Sequence, residues 1–183
     1  MTDNAKDGIE LPRVEDVPGI LQGALAQIRF AREYTLELLN ATPPELWYET
    51  PADLPTHVAW QAGHLAYSQY GLLMFRIRGR TPDDLDLVPG TFRKRFGRGT
   101  TPPKTADGNP TPQELLQRLQ TIHETGLAEL SSITPQTLLE PIDMPYAGYP
   151  CKLGAVLFCP LHEQIHAGQI GLLRRAHGLE SIR

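Results

Sequence analysis

The sequence predicts an all-α fold, a four-helix bundle with one long crossover connection, on three observations. Four long stretches carry apolar residues three or four positions apart. No segment sustains the apolar/polar alternation of a half-buried strand. The 17 prolines exclude a single uninterrupted helix and disfavour a parallel sheet, and six of them follow threonine, a pairing that suits helix starts. The 183 residues fit one domain, read as a polar N-terminal tail over 1–15 and a single bundle domain over 16–183.

The first helix is expected from about Gly19 to Asn40, with Leu21, Leu25, Ile28 and Ala31 along one stripe. The second is expected from about Thr56 to Gly79, with Trp60, His64, Tyr67 and Gly71 aligned. Thr111-Pro112-Gln113-Glu114 opens the third: threonine suits the N-cap, proline suits N1, and Glu114 at N3 completes a capping box. Leu115, Leu119, Ile122 and Leu130 give that helix its apolar face. The fourth spans about Lys152 to His177, with Arg174, Arg175 and Gly178 suited to its end. Pro160 predicts a kink or a later start. The connections fall at 41–55, 80–110 and 133–150. Five Thr-Pro pairs lead to leucine at 46, 54, 85, 115 and 138, four with an acid at N3 (Glu45, Asp53, Asp84, Glu114), and read as helix-start punctuation for the bundle.

A net charge of −4 gives no general attraction to nucleic acid or to anionic membranes. The charge is unevenly spread, with eight Lys/Arg against three Asp over residues 76–104. The start does not look like a signal peptide, and no apolar run approaches the roughly 20 residues a membrane span needs. Cys151 and Cys159, on one helix, would stand about 12 Å apart and could not bridge. A cytoplasmic protein with free thiols is the expectation.

The sharpest chemical signal is His162-Glu163-Gln164-Ile165-His166. Imidazoles at i and i+4 share a helix face and can reach one cation. The plain alternative is two partly buried histidines bonded to carbonyls or water. The string also reads as the H-E-x-x-H zinc-peptidase motif, but the extended form needs Gly and His where Gln169 and Leu172 stand. With little chain downstream, a third ligand must lie upstream. His64, in Trp60-Gln-Ala-Gly-His64-Leu-Ala66, is the candidate. Three inward imidazoles from two helices leave an open position for water or substrate. Because a ligating imidazole must be neutral, metal occupancy is expected to fall below about pH 6.5.

Val58-Ala-Trp60-Gln-Ala-Gly-His64-Leu-Ala66 with His162-Glu-Gln-Ile-His166-Ala-Gly-Gln169-Ile170 resembles the DinB-like superfamily of four-helix-bundle proteins. The resemblance implies a divalent metal on His64, His162 and His166. It also implies, more loosely, activation of a low-molecular-weight thiol for transfer or isomerisation. Related iron enzymes carry HxxxHxE, and Gly168 stands at that last position here, against an iron-dependent oxidative role.

Gln169, seven residues after His162, returns to its face and is a candidate substrate or ligand-supporting contact. Glu163, about 100° around the helix from His162, is read as a base, a support for the ligands or a solvated charge. Cys159 is read as a small buried apolar residue rather than a ligand. His57 lies about 10.5 Å along the helix from His64, too far for one coordination sphere. His123 has no metal partner nearby in sequence, and His177 suits a helix C-terminus.

Phe92-Arg93-Lys94-Arg95-Phe96-Gly97-Arg98 interleaves aromatics and cations, as nucleic-acid binders do. It could equally bind an anionic substrate beside the metal, cover the acidic bundle or form a subunit contact. With the overall charge negative, nucleic acid is disfavoured.

The functional expectation is a divalent-metal-binding small-molecule enzyme such as a thiol S-transferase. Zinc or nickel is preferred and ferrous iron comes third. A small thiol would be its partner, with a weaker case for a homodimer. The alternative is a non-catalytic binding or dimerisation bundle with a structural metal or none.

Overall fold

A computed structural model describes residues 9–51, 54–143 and 148–182. Its elements are α1 (Val17–Asn40), a 3₁₀ turn (Pro44–Leu46), α2 (Val58–Tyr70), a π-helical turn (Gly71–Phe75), α3 (Arg76–Arg78), α4 (Asp84–Leu87), α5 (Gly90–Phe96), α6 (Pro112–Leu130), α7 (Pro135–Leu138) and α8 (Lys152–Ala176). The chain is all-α, with α1, α2, α6 and α8 forming the bundle. Helix α1 packs on α8, α2 packs on α6, and α2 also meets α8. An isolated bridge between Pro141 and Cys151 is the sole strand-like pairing among the described residues.

Each long helix buries a stripe at helical spacing. Helix α1 turns Val17, Ala24, Ile28, Ala31 and Leu38 inward, and α6 buries Leu115, Leu119, Ile122 and Leu130 completely. The capping box at Thr111 forms in both directions: Thr111 Oγ1 accepts from the Glu114 N–H, and Glu114 Oε2 accepts from the Thr111 N–H.

The other helix starts follow different rules. Thr134 caps the single turn of α7 by accepting from the Thr137 N–H. Thr81 shows one half of a box, its N–H donating to Asp84 Oδ2 ahead of the short α4. The pair at 42–43 precedes the 3₁₀ turn, Leu54 lies outside any helix, and Asp53 is outside the described residues. The helices that carry His64 and the His162–His166 pair begin elsewhere, α2 after the N-cap His57 and α8 after Cys151. The punctuation reading therefore holds for α6 among the long helices; most Thr-Pro pairs mark short turns in the connections.

Pro160 sits buried within an uninterrupted α8, so the helix starts at Lys152 and not later. The proline lacks the N–H that would bond the Val156 carbonyl. The second helix does not run evenly to Gly79. It widens into the π-helical turn, resumes for three residues, and ends at Gly79 with φ of 84°. Such bulges often mark functional sites.

The crossover connection carries α5, which packs on α2 and buries Phe92 and Phe96. These residues are four apart, and their rings meet at 4.6 Å inside the core. The interleaving of aromatics and cations is thus a buried stripe beside an exposed one, and neither ring is free to stack on a base. Gly63 makes the docking feasible, because a Cβ there would lie 2.4 Å from Phe96 Cδ1.

Candidate metal centre

Helix α2 presents His64, and one turn of α8 presents His162 and His166. Their ring centroids are 4.5–5.4 Å apart, and one nitrogen from each lies within 4.8 Å of the others. His64 and His166 are buried and His162 is partly so. Trp60 stacks on His64 at 4.7 Å with planes 7° apart, and its Nε1–H donates to Thr100 Oγ1.

The hydrogen bonds set the tautomers. His64 Nδ1 lies 2.8 Å from the Phe96 carbonyl oxygen, which can only accept, so Nδ1 carries the proton and Nε2 keeps its lone pair. Ser68 Oγ is 3.2 Å from that Nε2. His166 Nδ1–H likewise donates to Gln61 Oε1, whose amide Nε2 donates to Thr56 Oγ1. Metal-binding histidines are commonly held this way, with the far N–H fixed by an acceptor and the other nitrogen turned to the cation.

Burial keeps the cluster uncharged until low pH. It lowers the His64 pKa, an effect partly opposed by the Phe96 hydrogen bond. His162 is lowered to about 4 by burial and by His64. His166 falls to about 3 through burial and its two histidine neighbours. All three are neutral ligands at physiological pH. A tetrahedral cation at about 2.0–2.1 Å needs nitrogens about 3.4 Å apart, and here the three lie within 4.8 Å of one another. The donor set fits a divalent metal.

The model of the DinB superfamily matches residues 27–170, which include all three histidines. The chain belongs to the DinB superfamily. No curated protein matches it at a significant level.

In this DinB-superfamily chain, His64, His162 and His166 meet, whereas Glu163 and Gln169 do not join them. Glu163 is buried at 2% exposure, with Oε1 2.6 Å from Arg32 Nε and Oε2 3.1 Å from Nη2. Arg32 also donates to Gln69 Oε1 at 2.8 Å and to the Leu119 carbonyl at 2.7 Å. Of the three readings of Glu163, the solvated charge is corrected by its burial, and both carboxylate oxygens are engaged by Arg32. Gln169 is exposed and, among the described residues, is not part of the wall of the cavity that His64 and His162 open onto. Gln169 shares the side of His162 but lies two turns, about 10.5 Å, further along α8.

Cys159 is buried, its thiol pushed up to about 12 chiefly by burial and next by Glu163. That fits a packed apolar residue. His57 caps α2, its Nδ1 accepting from the Trp60 N–H and its Nε2–H donating to the Pro103 carbonyl. His123 Nδ1 lies 3.2 Å from Gln69 Nε2 within the Arg32 network. His177 caps the end of α8, as expected.

Sequence reasoning missed Gln61, Ser68 and Arg32. Ser68 is four residues after His64, a spacing that flags it; the His166 imidazole that donates to Gln61 and the Glu163 carboxylate that pairs with Arg32 lie far along the chain.

Removing one member of a buried ion pair strands the other charge, so Glu163→Ala should lower stability by about 3–5 kcal/mol in urea unfolding. An Arg32→Met, Glu163→Leu double variant should lie closer to wild type than either single change. The pH dependence follows from the histidines. Unfolded, they bind protons near pH 6.5, whereas His162 and His166 do so at about 4 and about 3 when folded. The histidines' contribution to the stability of the metal-free protein is thus full above about pH 6.5 and is lost as pH falls toward about 3. In thermal scans its Tm should fall steadily over that window. Bound metal, by contrast, should stay on the folded protein to well below pH 6.5, lower than the unperturbed imidazole value implies.

Proposed function

We propose that this DinB-superfamily protein is a divalent-metal-dependent enzyme that transfers a low-molecular-weight thiol to an electrophilic small molecule. The observation that carries the reading is that the histidine cluster is not sealed in the core. His64 and His162 open onto a cavity of about 1060 Å³, walled in part by the π-helical turn. A structural metal needs no such opening, whereas a catalytic one keeps a position for water or substrate.

A cation on His64, His162 and His166 would lower the pKa of a coordinated thiol and present a nucleophile at neutral pH. The chain's own groups do the positioning. Phe96 and Gln61 fix two imidazoles through their Nδ1–H groups, and Trp60 braces the His64 ring. Ser68 brings a hydroxyl to the cavity wall beside His64. In the transfer the S–H bond breaks, its proton passes to solvent, sulfur bonds to carbon, and the leaving group departs with its electron pair. Three nitrogens with an open position favour zinc or nickel, with ferrous iron third.

The dimerisation reading has its own support. Leu161, Ile165 and Leu172 form an exposed apolar stripe on α8, with Leu161 60% exposed, and a homodimer would cover it. Among the described residues no helix is long and apolar enough to cross a membrane. Two free, buried cysteines support the cytoplasmic reading.

A thiol-consumption assay tests the catalytic reading. Protein reloaded with zinc or nickel is incubated with glutathione and a chloronitrobenzene, and thiol loss and chloride release are followed. Metal-dependent turnover that drops to the stripped-protein rate in His162→Ala and survives Cys159→Ser is expected. Equal rates with and without metal would oppose it.

A further inference from the structure

The cavity beside the histidines has a charge that the overall composition conceals. Arg76, Arg80, Arg93, Lys94 and Arg98 all line it, and among the described residues no Asp or Glu does. Among the described residues none of the five forms an ion pair, and their one side-chain hydrogen bond runs from Arg76 to the Gly71 carbonyl. Arg78, between Arg76 and Arg80 in sequence, shows what commitment looks like: it binds Asp84 and Glu129 through two bidentate pairs. In a chain of net charge −4, five unpaired cations converge on one concavity.

We infer that this cavity binds a low-molecular-weight polyanion, a substrate carrying two or more carboxylate or phosphate groups. Guanidinium forks match both groups, and a concave site walled by one sign of charge concentrates such ligands. Arg76 comes from α3 and Arg80 from just past its Gly79 end, and Arg93, Lys94 and Arg98 from α5 and the turn after it. Two elements thus face one ligand. Tyr67, Phe75 and Phe158 supply apolar wall for the rest of the molecule. The histidines at the same cavity place its reactive end beside the metal centre. A nucleic acid is disfavoured, because Phe92 and Phe96 are buried in the core. Calling the anion a substrate rests on the enzymatic reading above; the anion site itself stands on the cavity's own side chains.

Titration calorimetry on the metal-stripped full chain separates the two. Tricarballylate and inorganic pyrophosphate are the probes, one for each anionic group. Saturable binding of either, about one per chain, weakened about tenfold or more by Arg93→Glu with Arg98→Glu and unchanged by Arg29→Glu on α1, is expected. Both replaced side chains are exposed, so the fold should survive, which circular dichroism verifies. The inference is overturned if neither probe binds, if charge reversal leaves binding unchanged, or if a single-stranded oligonucleotide displaces the probes at lower concentration. Because no metal is present, a failed metal centre leaves this result readable, and a failed anion site leaves metal binding untouched.

Discussion

A single guanidinium ties the four long helices together. Arg32 on α1 binds Glu163 on α8, Gln69 on α2 and the Leu119 carbonyl on α6. Burying two charges is costly, and the arrangement persists because every buried side-chain polar atom among the described residues has a partner. Its geometric consequence reaches the metal centre. Glu163 is adjacent to His162 and three residues before His166, so anchoring its carboxylate to Arg32 fixes the rotation of α8. With that rotation set, both imidazoles face His64. The Glu163 carboxylate, paired with Arg32, thus orients the helix that carries the ligands.

The same low-dielectric interior shapes the histidines. Taking imidazoles out of water disfavours their charged form, and two neighbours disfavour it further, so the cluster is held as neutral ligands. A neutral imidazole has one N–H to satisfy, and acceptors stand ready for His64 and His166. The Phe96 carbonyl reaches His64 because α5 lies against Gly63, where no side chain intervenes. A glycine one residue before the ligand, a buried phenylalanine and a backbone carbonyl thus act as one device.

The bundle was legible because its signals are local. The Thr111 box, the Leu115–Leu119–Ile122 stripe and the Gly178 helix end, with φ of 77°, depend on neighbours in sequence. The triad was legible because His162 and His166 sit one turn apart and His64 was the best-placed upstream partner. The rest depends on tertiary contacts. His57 is an unusual helix cap, held by the Pro103 carbonyl 46 residues away. The Arg32–Glu163 pair spans 131 residues, and nothing near Arg32 distinguishes it from Arg29. The π-helical turn has no sequence signature of its own. The four-residue spacing of Phe92 and Phe96 held the clue that α5 buries its aromatics, but alternation with cations masked it.

The central claim is that three imidazoles from two helices form one metal site open to a cavity. X-ray absorption spectroscopy of the zinc- or nickel-loaded protein reads that ligand set directly. The account predicts three imidazole nitrogens in the first shell, with light oxygen scatterers filling the remainder and a sulfur appearing when a small thiol is added. A shell with fewer than two imidazoles, or with sulfur before any thiol is added, would contradict it.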